Sequence, residues 1–252
     1  MTAPLSPTVK PAHGNRNLLI VIIAVLVLAV AAAGGYGLWY ILVGPASPVA
    51  VSGEAPVIPA SASVPAPASF DGSWQVNSSL GSMNDFSASW AGYRVQEQLV
   101  GVGGHTAVGR TPKVSGSMTL TGSIVDNVQI TADLTALASD DSNRDGQLRG
   151  QAIETDTYPT AMFKTIQPID LGTLPADGKI VSVTTTGALT LHGTTKTVQM
   201  TLQAQRQGGI IAVAGSMPVV FADFGFKGPN SFSVVSVDDH GIMELHLLFT
   251  HA

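Results

Sequence analysis

The chain has 252 residues, a net charge of −5 and only 12% charged positions, about half the ~25% usual for soluble domains. Its twelve Lys and Arg are spread over the whole length, which argues against a nucleic-acid surface, since that needs clustered cations. Cysteine is absent, which excludes disulfides, thiolate nucleophiles, zinc–cysteine sites and iron–sulfur clusters. Gly, Ser, Thr and Ala take the place of charge and favour β-structure with many turns over helical bundles.

The first 17 residues carry Lys10 and Arg16 and read as a short cytoplasmic tail. Residues 18–43 then run 26 positions without a charge. As a helix this stretch is ~39 Å long, enough to cross a ~30 Å hydrocarbon core with tilt. The next Lys or Arg is Arg94, so the positive-inside rule predicts a single-pass helix in the plasma membrane with the remainder extracytoplasmic. Tyr36, Trp39 and Tyr40 cluster near its outer end. The rival is a cleaved signal peptide ending at Ala31–Ala33, but signal cores run 7–15 residues and this one continues through Ile41. Residues 44–69 hold six prolines and one charge. They predict an extended, semi-rigid linker that pairs and packs poorly.

From residue 70 to 252 the pattern changes to short runs of period two. Val114, Gly116, Met118 and Leu120 alternate with Ser and Thr, and Val128, Ile130, Ala132 and Leu134 with Gln129, Thr131 and Asp133. Val198, Met200, Leu202 and Ala204 repeat the pattern, as do Met243, Leu245, Leu247 and Phe249, although Leu248 breaks the polar face of that last run. The expected fold class is all-β: an antiparallel barrel of about eight strands, because closure removes exposed edges.

Between these runs lies the densest block of charge, SDDSNRDGQLRGQAIETD, residues 139–156. Asp141, Asn143, Asp145 and Gly146 match half of a calcium loop, but its twelfth position is Ala152 where a bidentate carboxylate is required, and the upstream flank reads as a strand. An acid/base role for Asp145 with Arg144 or Arg149 finds no nucleophile, since the chain has no Cys and no G-x-S-x-G elbow. The favoured expectation is a charge-assisted network of Arg144, Asp145 and Arg149 tying this connection to a barrel end, with a role at a ligand entrance as its alternative. His192, before Gly193, is expected to make a turn hydrogen bond or to touch a ligand's polar head. His105 and His240 are expected in turns, and His246 and His251 on opposite faces of one strand. No metal site is expected.

The inward apolar candidates are Met118, Leu120, Leu134, Leu189, Leu191, Met200 and Leu202, with Phe86, Trp90, Tyr93, Phe163, Phe221, Phe224 and Phe226 as aromatics able to line a channel. Periodicity alone leaves open whether they fill the barrel or surround a ligand.

Three segments carry a resemblance. NRDGQLRGQAIETDTYPTAMF, GALTLHGTTKTVQMTL and FADFGF, followed by VVSVDDHGIMELHLLF, resemble in order and spacing the motifs of the YceI-like family of lipocalin-like envelope barrels. The likeness covers residues 73–249; SWAGYRVQEQLVGVGGHTAVGRTPKVSG departs from it in length and glycine content. The resemblance implies a binder or carrier of a long apolar lipid such as a polyisoprenoid, an isoprenoid quinone or a fatty-acid derivative. It implies no catalytic residues and no cofactor beyond such a lipid. The competing expectations are a structural, interaction or stress-related envelope protein with a filled barrel, and an enzyme in which Asp145, Arg149 and His192 would have to converge.

Overall fold

The computed structural model describes residues 48, 50–51, 54–101, 103–229 and 234–252. The chain divides into two units, Met1–Ala46 and Ser47–Ala252, and every described residue belongs to the second. The tail expected over 1–17 and the membrane span expected over 18–43 therefore lie outside the described residues, and no helix among the described residues is long and apolar enough to cross a membrane.

The strands are β1 (Gly72–Val76), β2 (Trp90–Leu99), β3 (Gly103–Thr111), β4 (Val114–Thr121), β5 (Ile124–Asp133), β6 (Ala138–Ser139), β7 (Thr160–Thr165), β8 (Ile169–Asp170), β9 (Val181–Leu191), β10 (Thr194–Gln207), β11 (Ile210–Val220), β12 (Val234–Val237) and β13 (His240–His251). Helix α1 (Ser142–Gln147) continues into a π turn over Leu148–Ala152. The pairing β1-β4-β5-β7-β9-β10-β11-β13 returns to β1, which makes a closed antiparallel barrel of eight strands. Closure satisfies every edge of this circuit, as the alternation requires.

β13 is long enough to serve two neighbours on one side. Its C-terminal end pairs with β1, from Phe249↔Val76 to His251↔Trp74, and its first half pairs with β2, from Ile242↔Arg94 to His246↔Trp90. The β2–β3 hairpin therefore extends the wall at one end, with β12 beside β2 and β6 beside β3. This hairpin and β4 account for the glycine-rich stretch that departs from the family pattern. His105 lies within β3 and His240 begins β13, so neither sits in the turn expected of it.

The alternation read from sequence sets the interior. Met118, Leu120, Ile130, Ala132, Met200, Leu245, Leu247 and Phe249 are all buried in one core with Trp74 and Phe163. His192 and Gly193 join β9 to β10 at positive φ, 49° and 70°, the geometry of a two-residue hairpin turn.

The proline-rich segment departs from its expectation. Its described part lies on the outside of the barrel, where Ile58, Ala62 and Val64, with Leu80, cover Ile210, Ala212 and Leu248. Proline lacks a donor but keeps its carbonyl, and the strap uses that. Arg94 Nη2 donates to the Pro48 carbonyl at 2.6 Å, Gln205 Nε2 to that of Pro56, and Gly209 N to that of Val64 at 2.8 Å. Fixed φ angles also lower the entropy lost on ordering such a segment.

Candidate functional site: the barrel interior

Three apolar spaces run end to end inside the barrel. The first, about 100 Å3, is lined by Met118, Leu120, Phe163, Met200 and Leu202, with Leu171, Leu174 and Pro175 at its end. The second, about 90 Å3, lies at the other end under Leu134, Leu137, Leu148, Ile153, Phe221 and Phe226. A smaller space of about 40 Å3, the waist, lies between them. Ile130, Phe163, Met200 and Leu245 border both the waist and the first space, whereas Ala91, Ala132, Ala161 and Met243 border both the waist and the second. Three alanines, Ala91, Ala132 and Ala161, border the waist.

Most expected lining residues are there. Met118, Leu120, Phe163 and Met200 border the first space, Leu189 the waist, and Tyr93, Leu134, Leu191, Phe221 and Phe226 the second. Phe163 is set by Gly187: its ring lies so close that a Cβ there would stand 2.3 Å from Cζ. Phe224 is buried in the same core and is not among the residues that border these three spaces.

Phe86 and Trp90 correct the expectation. Trp90 pairs with His246, whose neighbours Leu245 and Leu247 line the cavity, so Trp90 faces outward. Trp90 and Tyr93 are three apart in one strand and cannot share a face. Outside, the Arg110 guanidinium stacks over both Phe86 and Trp90, with ring-centre distances of 4.1 and 3.9 Å. Burial lowers the Arg110 pKa to about 10, against the opposing pull of Glu244.

The charged block is a clasp. Asp141 caps α1, accepting from the amides of Asn143 and Arg144 at 2.8 and 3.4 Å, so the half calcium loop is a helix N-cap. Both oxygens of buried Asp145 accept from the amide of Ser139 at 3.0 and 3.1 Å. Arg144 reaches Asp140 and the buried carboxylate of Glu97, each at 2.7 Å, and Glu97 also meets His105 at 3.0 Å. Arg149 donates to the Leu137 carbonyl at 3.5 Å. Glu97 was not singled out from the sequence; its place at an inward position of β2 is the signal that could have found it.

His192 does not bond its own turn. Positive φ turns the ring out over the neighbouring connection, where Nε2 meets Glu154 at 2.9 Å, Nδ1 meets the Phe224 carbonyl at 3.2 Å, and Tyr158 packs against it. Asp145, Arg149 and His192 thus have separate partners and form no convergent cluster. Among the described residues no group of three or more His, Asp or Glu could hold a metal ion.

One solved structure shares this fold, and others are similar to a lesser degree. A solved polyisoprenoid binding domain from Saccharophagus degradans, implicated in plant cell wall breakdown, is similar at 21% identity and a TM-score of 0.56, over 71% of this chain and 98% of its own. BcnA of Burkholderia cenocepacia is similar at 21% identity and a TM-score of 0.48, over 63% and 95%. The YceI protein of Campylobacter jejuni is similar at 15% identity and a TM-score of 0.48, over 57% and 84%. No curated protein matches the chain. The YceI-like domain family matches residues 74–249, all eight strands of the barrel circuit within two residues of its ends, and the chain belongs to that family.

Proposed function

We propose that this protein binds one long apolar lipid inside its barrel, as a carrier or holder with no covalent chemistry. The observation that carries the reading is the row of three neighbouring spaces along the barrel, lined almost wholly by hydrocarbon. An elongated chain suits such a shape better than a compact ring system. Burying ~400 Å² of its apolar surface would contribute ~10 kcal/mol before ordering costs, enough for retention without a charged anchor. The polyisoprenoid-binding description of one relative, and the family itself, support the same class of ligand.

The charge-free stretch 18–43 and the cations before it support a tether in the plasma membrane with the barrel outside. A tethered barrel would take its ligand from the bilayer and shield it from water. Native mass spectrometry of the full chain, purified in mild detergent, should show a lipid bound in one-to-one proportion and released by organic solvent. A ligand-free protein would end the reading. Because the chain has no cysteine, a single exposed Lys196→Cys variant should react with a membrane-impermeant maleimide in intact cells; protection until lysis would refute the extracytoplasmic placement.

A further inference from the structure

Six large apolar side chains are exposed among the described residues, and the two most exposed stand together. Val100, 60% exposed, follows the last residue of β2, and Val235, 69% exposed, lies in β12. Each is one residue from the pair Leu99↔Val234. Residues 98–104 carry no charge, and Glu97 below them is buried against Arg144. Apolar surface gathered at the end of a hairpin, outside any core, marks a contact site.

What the tip meets follows from where the strap begins. The Pro48 carbonyl accepts from Arg94 at 2.6 Å, and the Val51 amide donates to Glu244 at 3.2 Å. Five chain steps separate Pro48 from Val43, where the charge-free stretch ends, a reach of at most ~18 Å. An undocked linker would reach ~80 Å. Arg94 lies opposite Ile242, two residues into β13 and at the end of the barrel that holds the second space. Val100 stands six residues further along β2, about 20 Å away. The other end of the barrel, at Ile210↔Thr250, lies eight residues along β13 in the opposite direction, about 27 Å away.

We propose that the docked strap is a short leash that turns the second-space end of the barrel toward the bilayer, where Val100 and Val235 enter the lipid surface. This rests on the membrane tether proposed above and adds the orientation of the barrel and its point of contact. Two valines alone bind a bilayer weakly, but a leash this short raises their effective concentration at the surface. Asp238 and Asp239, exposed just after β12, disfavour anionic headgroups, so the contact is apolar and made with neutral lipid. β2 and β12 also border the second space, through Val95 and Val237. The strands that touch the membrane are thus part of that cavity's wall.

The test uses the full chain reconstituted in phosphatidylcholine vesicles, with and without bromine on the acyl chains to quench a fluorophore that touches them. Because the chain has no cysteine, Gln98→Cys labels the tip and Ala176→Cys the opposite end, both at exposed positions. Brominated lipid should quench the tip label and leave the Ala176→Cys label unchanged. Adding Val100→Ser and Val235→Ser should cut the quenching severalfold, with the urea midpoint unchanged as proof of a folded barrel. Inserting twenty Gly and Ser residues after Ala46, with both valines kept, should also cut it severalfold by lengthening the leash. In a chain that floats with the vesicles, a tip label quenched no more than the Ala176→Cys label would overturn the contact and leave the tether standing. Quenching that survives the two serine replacements would overturn the role of the valines, and quenching that survives the insertion would overturn the leash. A chain that does not float with the vesicles would remove the tether and this inference with it.

Discussion

His246 Nε2 lies 3.1 Å from the amide nitrogen of Val57 and 2.9 Å from its carbonyl oxygen, across 189 residues of sequence. Its Nδ1 lies 2.8 Å from the Ala88 carbonyl. A neutral ring that donates from Nδ1 to Ala88 accepts the Val57 amide at Nε2, and the Val57 carbonyl is the contact that only a protonated Nε2 would meet. The side chain therefore fastens the proline-rich strap and the β1–β2 connection to the same point on β13.

That fastening should depend on pH. Burial pushes the His246 pKa down, and Arg110 adds to the shift, against the two carbonyls that would welcome a proton. The unfolded chain then binds more protons than the folded one below the ordinary histidine value of ~6.5, so stability rises with pH in that window. Acidification from pH 7.5 should lower the urea midpoint, beginning near 6.5 and levelling off below the folded pKa. His240, exposed beside Asp239, is shifted up and acts with the opposite sign, its contribution lost as pH rises through the folded value. Urea titrations of His246→Gln and His240→Gln separate the two: the first should flatten the acid loss and the second deepen it. An unchanged acid slope in His246→Gln would contradict this account.

Leu248 is fully buried on the outer face of β13 by the strap and Leu80. Leu248→Ala should cost roughly 2–5 kcal/mol, as other buried leucine truncations do. It should also speed protease cleavage within residues 48–69 before any cut in the barrel. Limited proteolysis followed by mass spectrometry checks the order. A strap equally resistant in the variant would mean that Leu248 does not hold it.

The barrel was legible because period-two alternation depends only on neighbours in the same strand. Met118, Met200 and Leu245 could be placed inward from their own runs. Leu248 was equally visible as a break in the polar face of its run, but its meaning depended on chain far away in sequence. Composition read the prolines of 44–69 as non-packing because it counted lost donors, whereas the strap packs through the carbonyls proline keeps. Residue type alone does not place Trp90, whereas strand parity puts it and Tyr93 on opposite faces. The three alanines of the waist gave no signal, since their significance lies in what they leave open; Glu97 shows in the sequence only as a charge at an inward strand position, its partner Arg144 lying far along the chain.

Glu97 is buried between Arg144 and His105, so removing its charge leaves Arg144 partly buried with only Asp140. Glu97→Ala should cost about 3–5 kcal/mol, the usual penalty for breaking a buried pair from one side. Glu97→Leu combined with Arg144→Met should recover most of that loss, because both charges leave together. Chemical denaturation of Glu97→Leu, Arg144→Met and the double gives the coupling; strictly additive losses would show that the pair does not act as a unit.

The waist makes the last prediction. Ala161 is buried on β7 and borders both the waist and the second space. A phenylalanine there places a ring at the waist. Part of the added volume fills empty space, which stabilises; part presses on Phe163 and Met243, so the net change in stability should stay within the ~1–3 kcal/mol typical of overpacking. Binding should change far more. If a ligand threads both spaces, Ala161→Phe must exclude long chains while still admitting short ones into one space at a time. Lipids of graded chain length, offered to wild type and variant and weighed by native mass spectrometry, should show a cutoff in the variant alone. Equal uptake of the longest chains by both proteins would mean that the ligand does not pass the waist, and the two spaces would then have to be occupied separately.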